Sequence, residues 1–195
     1  QPPPAAIKAA GGVNVPLAFG GYVFGVLPEL VERSPGHFLG YELSKVPQVV
    51  EHLVLNRPPV PERVPIPEEY EVAWTLFRER AGLIEAHVWQ TLGHYAVDPT
   101  AVANANHYLS RNILSALKLG DLDFIGANLK WLEGLMVNYS LQPDGLSNFL
   151  LSYHEAAQEY LAGPAGEIVL QWLGEVVKTC EMGAAELAHY QPPSL

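Results

Sequence analysis

The fold is decided between Ile7 and Val54, where the chain reads IKAAGGVNVPLAFGGYVFGVLPELVERSPGHFLGYELSKVPQVVEHLV. A short apolar run from Val15 to Phe19 stops at Gly20-Gly21, and a second run from His37 to Leu39 stops at Gly40-Tyr41. Short apolar runs that alternate with helical segments are typical of parallel strands with covered faces. The stretch therefore predicts an α/β segment with two parallel strands.

A helical segment follows each predicted strand. Leu27 to Arg33 reads as one or two helical turns, and Ser44 or Lys45 opens a longer amphipathic helix. Ligands of open α/β sheets bind beyond the carboxyl ends of the strands. Glycines at that edge let the backbone approach a ligand, because they carry no Cβ. The alternative interpretation is that Gly20 and Gly21 only form a tight turn.

The segment PLAFGGYVF, followed by PELVERSPGHFLG and an amphipathic helix, resembles the carboxyl-terminal half of the cobalamin-binding domain that is fused to MerR-type transcriptional regulators. In that family the Gly-Gly pair lines the slot for the nucleotide tail of cobalamin. The resemblance implies a partial Rossmann-like, flavodoxin-like segment, a bacterial-type regulator and cobalamin as the cofactor of the intact protein. It implies six residues that line the slot: Phe19, Gly20, Gly21, Tyr22, Gly40 and Tyr41.

The chain also departs from the family pattern. The Asp-x-His-x-x-Gly motif, which supplies the lower axial histidine to cobalt, and the Ser-x-Leu segment are both absent. The chain starts at Gln1, inside what would be the last third of the domain, so we expect a fragment that does not hold cobalamin alone. The strand edges of so short a sheet pair readily with a second chain, which predicts a homo-oligomer, most simply a dimer. A corrinoid carrier for methyl transfer is an alternative that needs the histidine motif.

A proline-rich linker at 56–67 separates the α/β segment, residues 1–55, from a helical domain at 68–190. The chain is thus predicted to be mainly α-helical, with an up-and-down bundle of about five helices, because short loops make sequential helices antiparallel neighbours. The first helix is predicted from Glu68 to Leu92, and the second from Asp98-Pro99 to Gly120. Asp121 caps the third helix. The fourth starts at Pro143 or Asp144 and ends at Gly163-Pro164, and the fifth follows that pair.

Helical spacing also predicts the residues that face the bundle core. They are Ala73, Leu76, Phe77, Ile84, Val88 and Leu92 on the first helix; Val102, Ala105, Leu109, Ile113, Ala116 and Leu117 on the second; Phe124, Asn128, Trp131, Leu132, Leu135 and Tyr139 on the third; Leu146, Phe149, Leu150, Tyr153, Ala157 and Tyr160 on the fourth; and Ile168, Val169, Trp172, Leu173, Val176, Val177 and Cys180 on the fifth.

Composition limits the classes of function. The net charge of −10 opposes nucleic-acid binding, which needs basic residues to displace counterions, so this segment should not contact DNA directly. The sequence has no apolar run of membrane-spanning length and no signal-peptide pattern. The single cysteine, Cys180, excludes an internal disulfide. We therefore predict a cytoplasmic protein that does not contact a membrane.

Histidines are the main candidates for metal or haem ligands in the helical domain. His87 and His94 lie near one face of the first helix, and His107 and His154 lie on the second and fourth. Facing histidines of a bundle can hold a metal or haem, but structural or surface roles are commoner, and no Glu-x-x-His or His-Glu-x-x-His motif occurs. The alternative function is a sensor bundle for a haem, bilin or other apolar small molecule, bound among Trp89, Trp131, Tyr139, Tyr153, Tyr160 and Trp172. We find no catalytic motif and predict no enzyme.

Overall fold

The computed structural model describes residues 17–92, 99–126 and 143–189. The chain divides into two compact units, Gln1–Pro65 and Ile66–Leu195, and the division lies inside the proline-rich stretch. The protein is mainly helical, and a small two-stranded parallel sheet accompanies the helices. In the part of the chain that the structure describes, no helix combines the length and the apolar character needed to cross a membrane.

The first unit contains two strands and three α-helices within its described residues. In chain order they are β1 (Ala18–Phe19), α1 (Val23–Val26), α2 (Glu29–Arg33), β2 (His37–Phe38), a 3₁₀ turn at Leu43–Lys45, and α3 (Val46–Asn56). The strands pair in parallel, with Ala18 opposite His37 and Phe19 opposite Phe38. The backbone N–H of His37 donates to the carbonyl of Leu17 at 2.8 Å. The predicted parallel pair is therefore confirmed, although β2 is shorter than predicted.

The helical segment between the strands differs from the prediction. The helical turns predicted at Leu27 to Arg33 are present as α2, and a further helix that was not predicted, α1, precedes them, with the two separated at Leu27-Pro28. Pro28 has no backbone N–H and so cannot continue the hydrogen-bonding pattern of α1. The proline-rich stretch also has a partner, because the N–H of Val64 donates to the carbonyl of Glu32 at 3.0 Å. The stretch is therefore held to the end of α2.

The second unit has five helices within its described residues. They are α4 (Glu68–Leu92), α5 (Pro99–Leu119), α6 (Asp123–Gly126), α7 (Pro143–Tyr160) and α8 (Glu167–His189). Helix α4 packs against α5 and α7, and α8 packs against α7 and α4. The carboxylate Oδ1 of Asp121 accepts the N–H of Asp123 at 3.0 Å, which confirms the predicted cap. The predicted contacts at 128–139 lie outside the described residues.

A single apolar core joins these helices. Buried residues include every predicted position on α5, and on α4 all but one. Six predicted core residues are only partly buried and pack at its margin: Leu76, Leu146, Tyr160, Ile168, Trp172 and Cys180. Phe124, also predicted to face the core, is partly buried as well. Four buried apolar residues of this unit were not predicted: Leu122, Ile125, Ala156 and Leu161. They sit at short turns or beside small residues, where helical spacing gives no clear signal.

Candidate functional site

The strand ends of the first unit bring two loops together. Because β1 and β2 are parallel, their carboxyl ends lie at the same edge of the sheet. Gly20-Gly21 follows β1 directly, and Gly40-Tyr41 lies two residues past β2. The N–H of Gly21 donates to the carbonyl of Gly40 at 3.2 Å. The structure therefore places the glycines assigned by the resemblance in one joined pair of loops.

These glycines are required for two different reasons. A Cβ on Gly20 would lie 2.9 Å from the carbonyl oxygen of Gly40, so the close approach of the loops needs glycine at this position. Gly21 and Gly40 instead have φ angles of +123° and +95°, which side chains rarely adopt. A Cβ on Gly21 or on Gly40 would meet no atom within 4 Å. Gly20 is therefore needed for the close approach of the two loops, and the positive φ angles of Gly21 and Gly40 agree with the tight-turn interpretation, while the lack of neighbouring atoms leaves an open side at both residues.

An aromatic cluster lies next to the loops. Phe38 contacts Phe19 with ring centroids 5.7 Å apart, and contacts Tyr41 at 5.0 Å. Phe24 on α1 contacts both phenylalanines, at 5.0 and 5.7 Å. Phe24 was missed by the sequence analysis, because α1 is only one turn long and no side-chain cap marks its start. The cluster fixes the ring of Tyr41 at the margin of the glycine loops.

Tyr22 stands apart from the aromatic cluster. Its side chain is 83% exposed, and it follows the glycine pair at the start of α1. The ring of Tyr41, in contrast, lies within 3.4 Å of the position that a Cβ would take on Gly25. Of the six assigned residues, Phe19 and Tyr41 have ring contacts in the aromatic cluster, although the side chain of Tyr41 is still 52% exposed, the glycine loops are joined, and Tyr22 projects into solvent.

The candidate histidines of the helical unit do not converge. Nδ1 of His87 lies 3.3 Å from a carboxylate oxygen of Glu159, His107 is exposed on α5, and His154 is half-buried on α7. His94 lies outside the described residues. Within 17–92, 99–126 and 143–189, no group of three or more His, Cys, Asp or Glu side chains could hold a metal ion. The described histidines thus have separate local surroundings.

The candidate aromatic residues are also dispersed. Tyr153 is fully buried, Trp172 is half-buried, and Trp89 is exposed; Trp131 and Tyr139 lie outside the described residues. A further aromatic, Trp74, was missed, and the cations of Arg78 and Lys118 lie 4.5 and 4.2 Å from its ring centroid. The contact of Lys118 joins α5 to α4, whereas Arg78 and Trp74 lie one turn apart on α4.

An open groove of about 830 Å³ runs along α7 and α8 in the helical unit. Its lining includes His154 and Trp172, together with several carboxylates: Asp121, Asp123, Glu167 and Glu175. The Asp121 carboxylate already caps α6, and Glu175 accepts a hydrogen bond from Lys178 at 2.7 Å. The groove therefore offers an aromatic and an imidazole ring on a surface of predominantly negative charge.

His154 makes the folding of the helical unit sensitive to acid. Burial lowers the pKa of His154, and Glu155 opposes the shift. The unfolded chain binds this proton with a pKa of about 6.5, more tightly than the folded chain. The contribution to stability is therefore complete above about pH 6.5 and is lost as the pH falls through the folded-state pKa. We expect His154→Gln to flatten the fall of Tm between about pH 7 and 5. An unchanged slope in this variant would contradict the assignment.

Comparison of the chain with protein-family models, with curated proteins and with solved structures gave no match.

Proposed function

We propose that the chain is the carboxyl-terminal part of a cobalamin-binding regulatory protein similar to the MerR-type transcriptional regulators. In this proposal the first unit is the closing edge of a Rossmann-like, flavodoxin-like domain, and the five described helices of the second unit belong to an up-and-down bundle. The observation that carries the proposal is the geometry of the strand ends. Two parallel strands run into loops in which Gly21 and Gly40 both have positive φ and an open side.

The burial of the first unit supports its place in a larger domain. Among the described apolar side chains of this unit, only Leu30 and Leu53 are buried, each with 9% of the residue exposed. Several large apolar residues are exposed instead, among them Tyr22, Val23, Val26, Tyr41, Leu43, Val54 and Leu55. A two-stranded sheet with so little buried apolar surface is not stable by itself. Further strands and helices of an intact α/β domain would cover this surface.

The residues present fit the nucleotide tail of cobalamin in kind. No atom lies near the position that a Cβ would take on Gly21 or Gly40, which leaves room for a bulky ligand, and the exposed rings of Tyr22 and Tyr41 supply aromatic surface with hydroxyl groups. Bound cobalamin would supply the corrin chromophore and its cobalt. The cobalt ligand of the family motif has no counterpart in this chain. The first unit would therefore contribute only to holding the tail.

The helical unit would serve ligand sensing or dimerisation in the intact protein. The alternative function is a sensor bundle for a haem, bilin or other apolar molecule, for which Trp172 and His154 share the lining of the groove along α7 and α8, beside four carboxylates. Reconstitution with haem or a bilin separates the two functions. A new visible absorbance band that is lost in Trp172→Ala would favour the alternative, and an unchanged spectrum would remove it.

Titration of cobalamin into the intact protein tests the main proposal. We expect a saturable change in corrin absorbance and about tenfold weaker binding for Tyr22→Ala, because this exposed ring directly follows the glycine pair. The variant should unfold at the same temperature as the parent. Tyr108→Ala, which removes an exposed ring from the helical unit, is the matched control and should bind normally. An unchanged corrin spectrum in the parent protein would refute the proposal.

A further inference from the structure

A small group of polar side chains lies inside the apolar core of the helical unit. Asn106 and Ser110 on α5 are buried, and Tyr153 on α7 is fully buried. Apolar core residues such as Leu109 and Leu150 flank the group on the same helices. Burying polar groups is unfavourable unless their hydrogen-bonding capacity is used. The hydrogen-bond partners of these three side chains therefore decide how much the polar group costs the core.

Two hydrogen bonds join this group to neighbouring helices. The hydroxyl groups of Ser110 and Tyr153 lie 2.8 Å apart, so that α5 is bonded to α7. The amide Nδ2 of Asn106 donates to the backbone carbonyl of Glu85 at 3.2 Å, so that α5 is bonded to α4. The polar group thus stands where three helices meet.

One strong hydrogen-bond acceptor of this polar group has no donor among the described residues. Oδ1 of Asn106 is buried and has no hydrogen-bond partner within the described part of the chain. The orientation of this amide is fixed, because rotating it by half a turn would place two oxygens, Oδ1 and the Glu85 carbonyl, against each other. Leaving such an acceptor unpaired in a core is costly.

The hydroxyl pair has one hydrogen to spare. Each of the two hydroxyl groups carries one hydrogen, and a single hydrogen spans the bond between Ser110 and Tyr153. Burial raises the pKa of Tyr153, so its phenol stays protonated throughout the ordinary pH range. Ser110 is not bonded to the carbonyl one turn before it as Ser115 is, which donates to Arg111 at 2.8 Å. The second hydroxyl hydrogen is therefore available to another acceptor.

We propose that Asn106, Ser110 and Tyr153 form an internal binding site for one water molecule. Asn106 and Ser110 are four residues apart on α5, so their side chains leave the same face of the helix one turn apart. The water donates to Oδ1 of Asn106 and accepts the spare hydrogen of the hydroxyl pair. It thereby completes a polar junction of α4, α5 and α7, and it does so independently of any cofactor in the first unit.

Water-selective NMR on the whole chain tests this site. We expect nuclear Overhauser effects between a long-lived water and the side-chain amide protons of Asn106. The exposed amide of Gln171, which contacts bulk solvent, is the reference for short-lived contacts. Absence of a long-lived signal at Asn106 in the parent chain would overturn the proposal, and this measurement needs no variant to fold.

The stability of Asn106→Leu gives a second test. The variant loses the bond from Nδ2 to the Glu85 carbonyl in either case. If the water is bound, its bond to Oδ1 is lost as well, and the folded-to-unfolded ratio should fall about tenfold. If Oδ1 is simply unpaired, removing this acceptor offsets the lost bond, and the ratio should stay the same or rise, which would overturn the proposal. Ser115→Ala, which removes an exposed hydroxyl from the same helix, is the matched control and should change the ratio little. An increase in the ratio for Asn106→Leu would contradict the site.

Discussion

Replacing Phe77 by alanine is expected to lower the free energy of unfolding of the helical unit by about 3–5 kcal/mol. Phe77 is 0% exposed, on a helix that packs against both α5 and α7. Truncation removes most of a large apolar side chain, and the packed helices on either side cannot close the cavity fully. The effect should appear as a lower urea midpoint with an unchanged slope of the transition.

The matched control for Phe77→Ala is Leu83→Ala on the same helix. Leu83 is 44% exposed, so its truncation should cost only about 0.5 kcal/mol. Both variants remove an apolar side chain from α4 and differ mainly in burial. A loss below about 1 kcal/mol for Phe77→Ala would mean that α4 does not occupy the centre of the unit.

Gly166→Ala is the second variant with a large expected effect. Gly166 is buried in the turn between α7 and α8, and a Cβ there would overlap the carbonyl oxygen of Leu161 and lie 2.7 Å from its Cβ. The turn is also bonded through Gly166, whose N–H donates to Gly163 and whose carbonyl accepts from Val169 and Leu170, each at 3.0 Å. Backbone atoms cannot move aside as a flexible side chain can, so we expect a loss of about 3 kcal/mol.

Gly82→Ala is expected to have the opposite effect on the stability of the helical unit. Gly82 lies inside α4, and a Cβ there would meet no atom within 4 Å. Alanine should therefore stabilise the helix by about 0.5–1 kcal/mol. Thermal unfolding of the two variants compares the same chemical change in a crowded turn and in an open helix. Equal shifts of Tm would show that the turn at Gly166 is not as close-packed as the structure describes.

The sequence predicted the fold wherever a repeating pattern continues over several turns. The apolar spacing of Phe77, Ile84 and Val88 places α4 correctly, because each turn repeats the same signal. Short elements were harder to predict. The single turn of α1 has no cap and no repeat, and the bond from Val64 to Glu32 joins residues far apart in the chain. Neither feature leaves a local pattern.

The candidate site, too, could be predicted from the sequence only in part. The glycines that follow Phe19 and precede Tyr41 locate the strand ends from sequence alone. Their mutual hydrogen bond and the ring of Phe24 depend on how the strands pair, which no local pattern gives. Tyr153 was predicted as an apolar core position. Its hydroxyl partner Ser110 lies on another helix, so helical spacing could not reveal the polar junction.

We propose that the strand-end loops at Gly21 and Gly40 hold the nucleotide tail of cobalamin. The most direct measurement is the change in backbone amide resonances of the intact protein when cobalamin is added. We predict that the resonances of Gly21, Tyr22 and Gly40 shift most among the residues of this chain, because their backbone lies on the open side of the loops. Shifts confined to α4 through α8, with the glycine resonances unchanged, would contradict the claim.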